Sequence, residues 1–135
     1  MLAIKPIEDK SVQAELIADC GGTYNPRDFA YILNECSDDG ETVLRTLGAC
    51  QFGIQGDHGS ISLLRTLPGI EDEEALMIAA RAAANFLFRC EVRYMHFTKD
   101  AAEEELIRKL GFAPNANGEF ELDILKYYTT PCHER

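Results

Sequence analysis

The sequence predicts an α/β fold: a mixed, mostly antiparallel sheet with one parallel strand pair, covered by about four helices. Three observations carry that expectation. Cys50, Phe52 and Ile54 alternate with Gln51, Gly53 and Gln55, the two-residue period of a strand with one buried face. "GIQGDHGSISLL" puts a glycine-containing turn between two such runs, which makes the flanking strands antiparallel neighbours. A long alanine-rich helical stretch then separates "SISLLRTL" (60–67) from "EVRYMHFT" (91–98), and strands joined through a helix are parallel with a right-handed crossover.

The elements follow in order. "LAIKPI" (2–7) alternates as a first strand. From Glu8, "EDKSVQAELIADCGG" places Val12, Leu16, Ile17 and Cys20 on one helical stripe, and Gly21-Gly22 supplies a left-handed stop. "NPRDFAYILNEC" (25–36) predicts a second helix: Asn25 caps, Pro26 suits the first turn, and Phe29, Ile32, Leu33 and Cys36 recur at core-facing spacing. After a turn at Asp38-Asp39-Gly40, "ETVLRTLGACQFGIQ" reads as strand with a break at Gly48, and "GDHG" (56–59) turns it into the next. A helix from about Glu71 to Arg89 places Leu76, Ala79, Ala80, Ala83, Phe86 and Leu87 on one face. Asp100 with Glu103 is a capping signal for "AAEEELIRKL", which Gly111 stops. The chain closes with an Asn117-Gly118 turn and a strand, "EFELDILKYY", in which Phe120, Leu122 and Ile124 alternate with Glu121 and Asp123.

Composition narrows the functional classes. The 135 residues predict one domain over 1–135, and 46% hydrophobic content supplies a core. With 13 Lys+Arg against 23 Asp+Glu the net charge is −10, which repels a polyphosphate backbone and excludes nucleic acid as a partner. "MLAIKPIEDK" has no apolar leader, and the run from Ala75 to Phe88, interrupted by Arg81 and Asn85, is too short to span a bilayer. The expectation is a cytoplasmic protein with no membrane partner. Cys20, Cys36, Cys50, Cys90 and Cys132 include no C-x-x-C pair, so reduced, mostly buried thiols are expected. Cys132-His133 with Cys20 has no recognised metal spacing, and His58 and His96 suggest no partner, so no metal site is expected.

Together with "LIRKLGF" (106–112), this order of elements resembles the GNAT superfamily of acyl-CoA-dependent N-acetyltransferases over nearly the whole chain. The most specific piece is the Lys109-Leu110-Gly111-Phe112 run that ends a helix and enters a strand. The resemblance implies a GNAT-like fold whose central parallel strand pair is splayed, acetyl-CoA as cofactor and a small-molecule amine as acceptor. In that family the pantetheine arm lies in the gap, which here implies the amides near Leu64 and Thr66. The diphosphate sits on the amides opening the long helix, here Glu74, Ala75 and Leu76. "GGTYNPRD" (21–28) borders the acceptor in such proteins, which makes Tyr24 and Asn25 the expected acceptor contacts. A homodimer is compatible with the resemblance.

Two positions depart from the family pattern. The phosphate turn is expected to read Arg/Gln-x-x-Gly-x-Gly/Ala, whereas this chain has Glu71, Asp72, Glu73 and Glu74 in a row. A helix N-terminus favours an anion by roughly 0.3–1 kcal/mol, and each carboxylate about 6 Å from a phosphate charge opposes it by roughly 1–3 kcal/mol at intermediate dielectric. Repulsion wins, although first-turn side chains splay outward and salt screens the remainder. The same acidic run also stabilises any helix by satisfying its dipole. The second departure is Ile107, which stands where the family often has a tyrosine that protonates the departing thiolate. Tyr94, Tyr127, Tyr128 and Cys50 are the alternative proton donors, and "SISLLRTL" offers no carboxylate as base. These departures admit a second expectation, a catalytically silent GNAT-fold binding or interaction module.

Overall fold

In the computed structural model, which describes residues 1–130, the chain begins with β1 (Leu2–Pro6), α1 (Lys10–Asp19) and β2 (Phe29–Cys36). A long hairpin follows, β3 (Val43–Gln55) and β4 (His58–Thr66), closed by Gly56 and Asp57. The left-handed φ of 65° at Gly56 suits the mirror-image turn that tight hairpins favour. Next come α2 (Glu73–Arg89), β5 (Tyr94–Phe97), α3 (Glu104–Lys109), β6 (Ala113–Pro114), β7 (Phe120–Asp123) and α4 (Ile124–Thr129).

All seven strands form one sheet in the order β1-β2-β3-β4-β5-β7-β6. Among the described residues only β4 and β5 run parallel. That is the mixed, mostly antiparallel sheet with a central parallel pair and four helices expected from the sequence. Ala75, Ala79, Ala80, Ala83 and Leu87 of α2 share a buried cluster with Cys50, Phe52, Ile61, Leu64 and the α3 residues Leu106 and Ile107. Small side chains let α2 lie close to the sheet. At Gly59 an added Cβ would stand 2.6 Å from Leu87 Cδ1, so the closest approach requires glycine. On the opposite face Leu16 and Ile17 of α1, with Cys20 at its C-terminal end, pack on Ala49 and Leu63.

Several expectations are corrected. Residues 25–36 form no second helix: Asn25 Oδ1 accepts from the Arg27 amide at 3.0 Å, closing a side-chain turn, and β2 then pairs with both β1 and β3. Both register shifts between β2 and β3 place the extra residue on β3, so β2 keeps its alternation; with Leu33 in the α2 cluster and Ile32 against the α1 cluster, apolar residues on two covered faces gave this strand its helical look. Val12 is 45% exposed, and the inward position on α1 belongs instead to Gln13. Asp100, at φ 62°, lies outside α3, which starts after Glu103 without a side-chain cap. The last strand stops at Asp123, whose carboxylate accepts the Lys126 amide at 3.1 Å and caps α4, so Ile124 opens a helix.

Candidate functional site

The parallel pair is short, and the site lies where it parts. Registered pairs run from His58↔Tyr94 to Ile61↔Phe97, and the Thr98 amide donates to Ile61 at 2.9 Å. Beyond this point β4 continues to Thr66 with only β3 beside it. Ser62 is the first residue past the pairing. It is also a bulge, because Gln51 pairs with Leu63 while Phe52 pairs with Ile61. The chain after β5 then folds back: the Leu64 amide donates to the Ala101 carbonyl at 2.8 Å, and Arg65 donates to the carbonyls of Asp100 and, at 3.5 Å, Gly21. Ala101 is buried in this position.

A cleft of about 350 Å³ lies beside this edge, lined by Leu64, Thr66, Gly69, Leu76, Glu103 and Leu106 among others. Of the residues that the family resemblance gives to the cofactor, Leu64, Thr66 and Leu76 line it, whereas Glu74 and Ala75 do not. Thr66 Oγ1 donates to the Ile70 carbonyl at 2.7 Å. The Ala75 amide donates at 3.0 Å to the carboxylate of Asp72, the N-cap of α2, and the Leu76 amide to the Asp72 carbonyl at 3.3 Å. Glu74 is exposed. Glu73 pairs with Lys109 Nζ at 2.9 Å, a hydrogen bond and charge that push the Lys109 pKa up. The cleft's walls combine Leu64, Leu76 and Leu106 with Glu71 and Glu103, and the helix end already holds a carboxylate at Ala75.

A second cleft, about 640 Å³, opens on the other side of the returning segment and is lined by Phe97, Asp100, Glu103, Ile107 and Phe120 among others. Ile107, in the position where the family often has tyrosine, is buried at its edge. The alternative proton donors are dispersed. Cys50 is fully buried, and burial pushes its thiol up to about 12. Tyr94 stacks on His58 with ring centres 5.5 Å apart, and Tyr128 of α4 stacks on Phe88 at 4.5 Å.

The α1 face of the sheet holds a polar network that sequence reasoning missed. Gln51, fully buried on β3, donates to Ser62 Oγ at 2.9 Å and to the Thr23 carbonyl at 3.0 Å. Its Oε1 accepts from Gln13 Nε2 at 3.1 Å and from the Asn25 amide at 3.2 Å, so the side-chain amide is fully used. Ser62 Oγ in turn donates to Asp28 Oδ2 at 3.0 Å. Burial pushes the Asp28 pKa up, partly offset by the Ser62 hydrogen bond and the Lys10 charge. Gly53 makes room for this carboxylate, since a Cβ there would lie 2.1 Å from Asp28 Oδ1. Tyr24 is half-buried against the α1 cluster and Asn25 is exposed, so the network fixes the segment that carries both. A glutamine at the inward stripe of α1, beside Leu16 and Ile17, was the readable signal of a buried polar contact.

Among the described residues no group of three His, Cys, Asp or Glu side chains could hold a metal ion. The Cys132-His133 pair lies outside the described residues. No helix among them is long and apolar enough to cross a membrane.

A mixed sheet whose central parallel pair parts after a short ladder, with an alanine-rich crossover helix on one face, is the GNAT fold. Solved structures bear this out. A spermidine N-acetyltransferase from Vibrio cholerae superposes with TM-score 0.68 at 10% identity, covering 95% of this chain and 96% of its own. An N-acetyltransferase from Staphylococcus aureus gives 0.65 at 14% identity, over 92% and 99%. An IAA acetyltransferase from Bacillus cereus gives 0.66 at 13%, over 86% and 79%. At such identities the likeness is one of fold. No family model and no curated protein sequence matches the chain.

Proposed function

We propose that the chain is a GNAT-type N-acyltransferase for a small amine, with a changed seat for its acyl donor. The observation that carries this reading is the 3.0 Å contact from Ser62 to Asp28. It puts a carboxylate of raised pKa one hydrogen bond from the residue at which β4 leaves β5. Acylating an amine requires a neutral nitrogen, and a group that takes its proton beside the parting strands meets that need. The donor suggested by the fold is acetyl-CoA, whose thioester supplies an activated acyl carbon. Leu64, Thr66 and Leu76 would hold its pantetheine arm. Glu74 and Ala75 stand where a diphosphate would rest, and there the fit is poor because Asp72 already occupies the Ala75 amide. Tyr24 and Asn25, on the segment held by Gln51, would border the amine.

Thermal melting with excess acetyl-CoA tests the reading, since a ligand that binds only the folded state raises Tm with its concentration. No rise at millimolar ligand would remove it. Such an outcome would leave a second reading, a GNAT-fold binding module that does not use acetyl-CoA. The Leu64–Ala101 and Ala75–Asp72 bonds favour that alternative, because both amides are already satisfied by the chain itself.

A further inference from the structure

We propose that Ser62 and Asp28 form a proton relay, in which Ser62 meets the incoming amine and Asp28 stores the proton; this rests on the acyl-transfer reading above. Ser62 is half-buried at the parting of β4 and β5, whereas Asp28 is 8% exposed, so the pair has an accessible end and a buried end. The bulge at Ser62 aims its hydroxyl at the α1 face, away from the α2 core. Gln51 fixes that hydroxyl by donating to its oxygen, and of the two acceptors left for the Ser62 proton Asp28 Oδ2 at 3.0 Å is nearer than the Gln51 carbonyl at 3.3 Å. Gly53 keeps the carboxylate in line, because any side chain there would collide with Oδ1.

The proton step balances within these groups. An ammonium nitrogen hydrogen-bonded to Ser62 Oγ gives that oxygen one proton as the hydroxyl proton passes to Asp28 Oδ2. The products are a neutral amine, an intact serine hydroxyl and a carboxylic acid. Lys10 of α1 is the charged group that acts on Asp28; Gln13, Gln51 and Ser62, facing it from α1, β3 and β4, are neutral. A carboxylate in such surroundings holds a proton more readily than one in water. The hydrogen bond from Ser62 keeps it ionised enough to accept the next.

Two readouts test the relay. In carboxyl-carbon NMR titrations, with Asp28→Asn to assign the signal, Asp28 should titrate above the ordinary 3.8. In Ser62→Ala its midpoint should rise further, because the bond that lowers it is gone. In acetyl-CoA turnover with ethanolamine, n-butylamine and spermidine, kcat/KM of the unaltered chain should rise with pH through the same midpoint. Asp28→Asn and Ser62→Ala should each lose about 100-fold in kcat with KM for acetyl-CoA unchanged, and Asp28→Asn should lose the acid limb. Ser62→Thr, which keeps a hydroxyl, should recover most of the rate. An Asp28 that titrates at or below 3.8, an acid limb that survives in Asp28→Asn, or full activity in Ser62→Ala would overturn the relay. Absence of any Tm rise with acetyl-CoA would remove the acyl-transfer reading and the relay with it. A Tm rise with an unaltered pH profile in Asp28→Asn would remove the relay alone.

Discussion

The amide of Leu64 donates to the carbonyl of Ala101 at 2.8 Å, so the chain itself caps the free edge of β4 at the point where its parallel neighbour has turned away. Arg65 holds the returning segment through the carbonyls of Asp100 and Gly21. Asp100 has a left-handed φ of 62°, a conformation that costs a non-glycine residue energy and persists where neighbours enforce it.

Removing that clasp should loosen the segment. In Arg65→Ala the Leu64 amide should exchange with solvent faster. If the segment competes with acetyl-CoA for that amide, affinity should rise roughly 2- to 10-fold, the worth of one hydrogen bond of about 0.5–1.5 kcal/mol. Calorimetry beside hydrogen exchange reads both. Faster exchange without tighter binding would show that the two do not compete.

The acidic turn makes a separate prediction. Asp72→Ala should lower stability by about 0.5–2 kcal/mol, the usual loss for a carboxylate N-cap, measured by denaturant unfolding. Replacing Glu73 and Glu74 together by glutamine should tighten acetyl-CoA by roughly 10-fold and flatten its salt dependence. Loss of the Lys109–Glu73 pair, about half exposed on both sides, should cost less than about 1 kcal/mol. Unchanged affinity in the double variant would mean that no phosphate comes near this turn.

Asp28 should leave a mark on stability as well as on proton transfer. Its folded pKa is raised, so the native state binds this proton more tightly than the unfolded chain. Its contribution to stability should therefore fall as pH rises from the unfolded value, 3.8, through the higher folded midpoint, and stay level above it. Tm measured across acidic pH should lose that component of its slope in Asp28→Asn. Gly53→Ala, whose methyl would drive the carboxylate out, should cost about 1–3 kcal/mol. An Asp28→Asn curve parallel to that of the unaltered chain would contradict the assignment.

Thiol chemistry gives a fourth check. Cys50 and Cys20, pushed up to about 12 and about 11 by burial, present thiolate at about one part in ten thousand or less at neutral pH. In a Cys132→Ser background, Cys90 should react rapidly with a thiol reagent in the native protein while Cys20, Cys36 and Cys50 wait for unfolding. Prompt native labelling of Cys50 would mean that the core opens far more than its burial implies.

Local pattern made the hairpin and the crossover helix readable, because each depends on residues close in sequence, and the parallel pair followed from the helix that joins its two strands. β2 was misread because Phe29, Ile32, Leu33 and Cys36 satisfy a helical spacing that a strand covered on both faces produces equally well, Phe29 and Leu33 facing α2 and Ile32 facing α1, and only pairing with β1 and β3 decides between them. The acidic helix start was legible as chemistry, but its internal pairing with Lys109 joins residues 36 apart. Of the Gln13–Gln51–Ser62–Asp28 network only Gln13 gave a sign, through its inward place beside Leu16 and Ile17 on α1. The other members come from β3, β4 and a turn, too far apart in sequence for their residue types to announce the contact.

The two-residue closure at Gly56-Asp57 joins two long antiparallel strands through the shortest connection between strands of the sheet. Little chain entropy is lost in zipping it, whereas β5 meets β4 only after the whole crossover helix has been laid down. Assembly should therefore begin with the central ribbon and end with the flank that carries β5. The groove lies on the seam between the two, with Leu64 and Thr66 of the ribbon on one wall and Glu103 and Leu106 of the flank on the other.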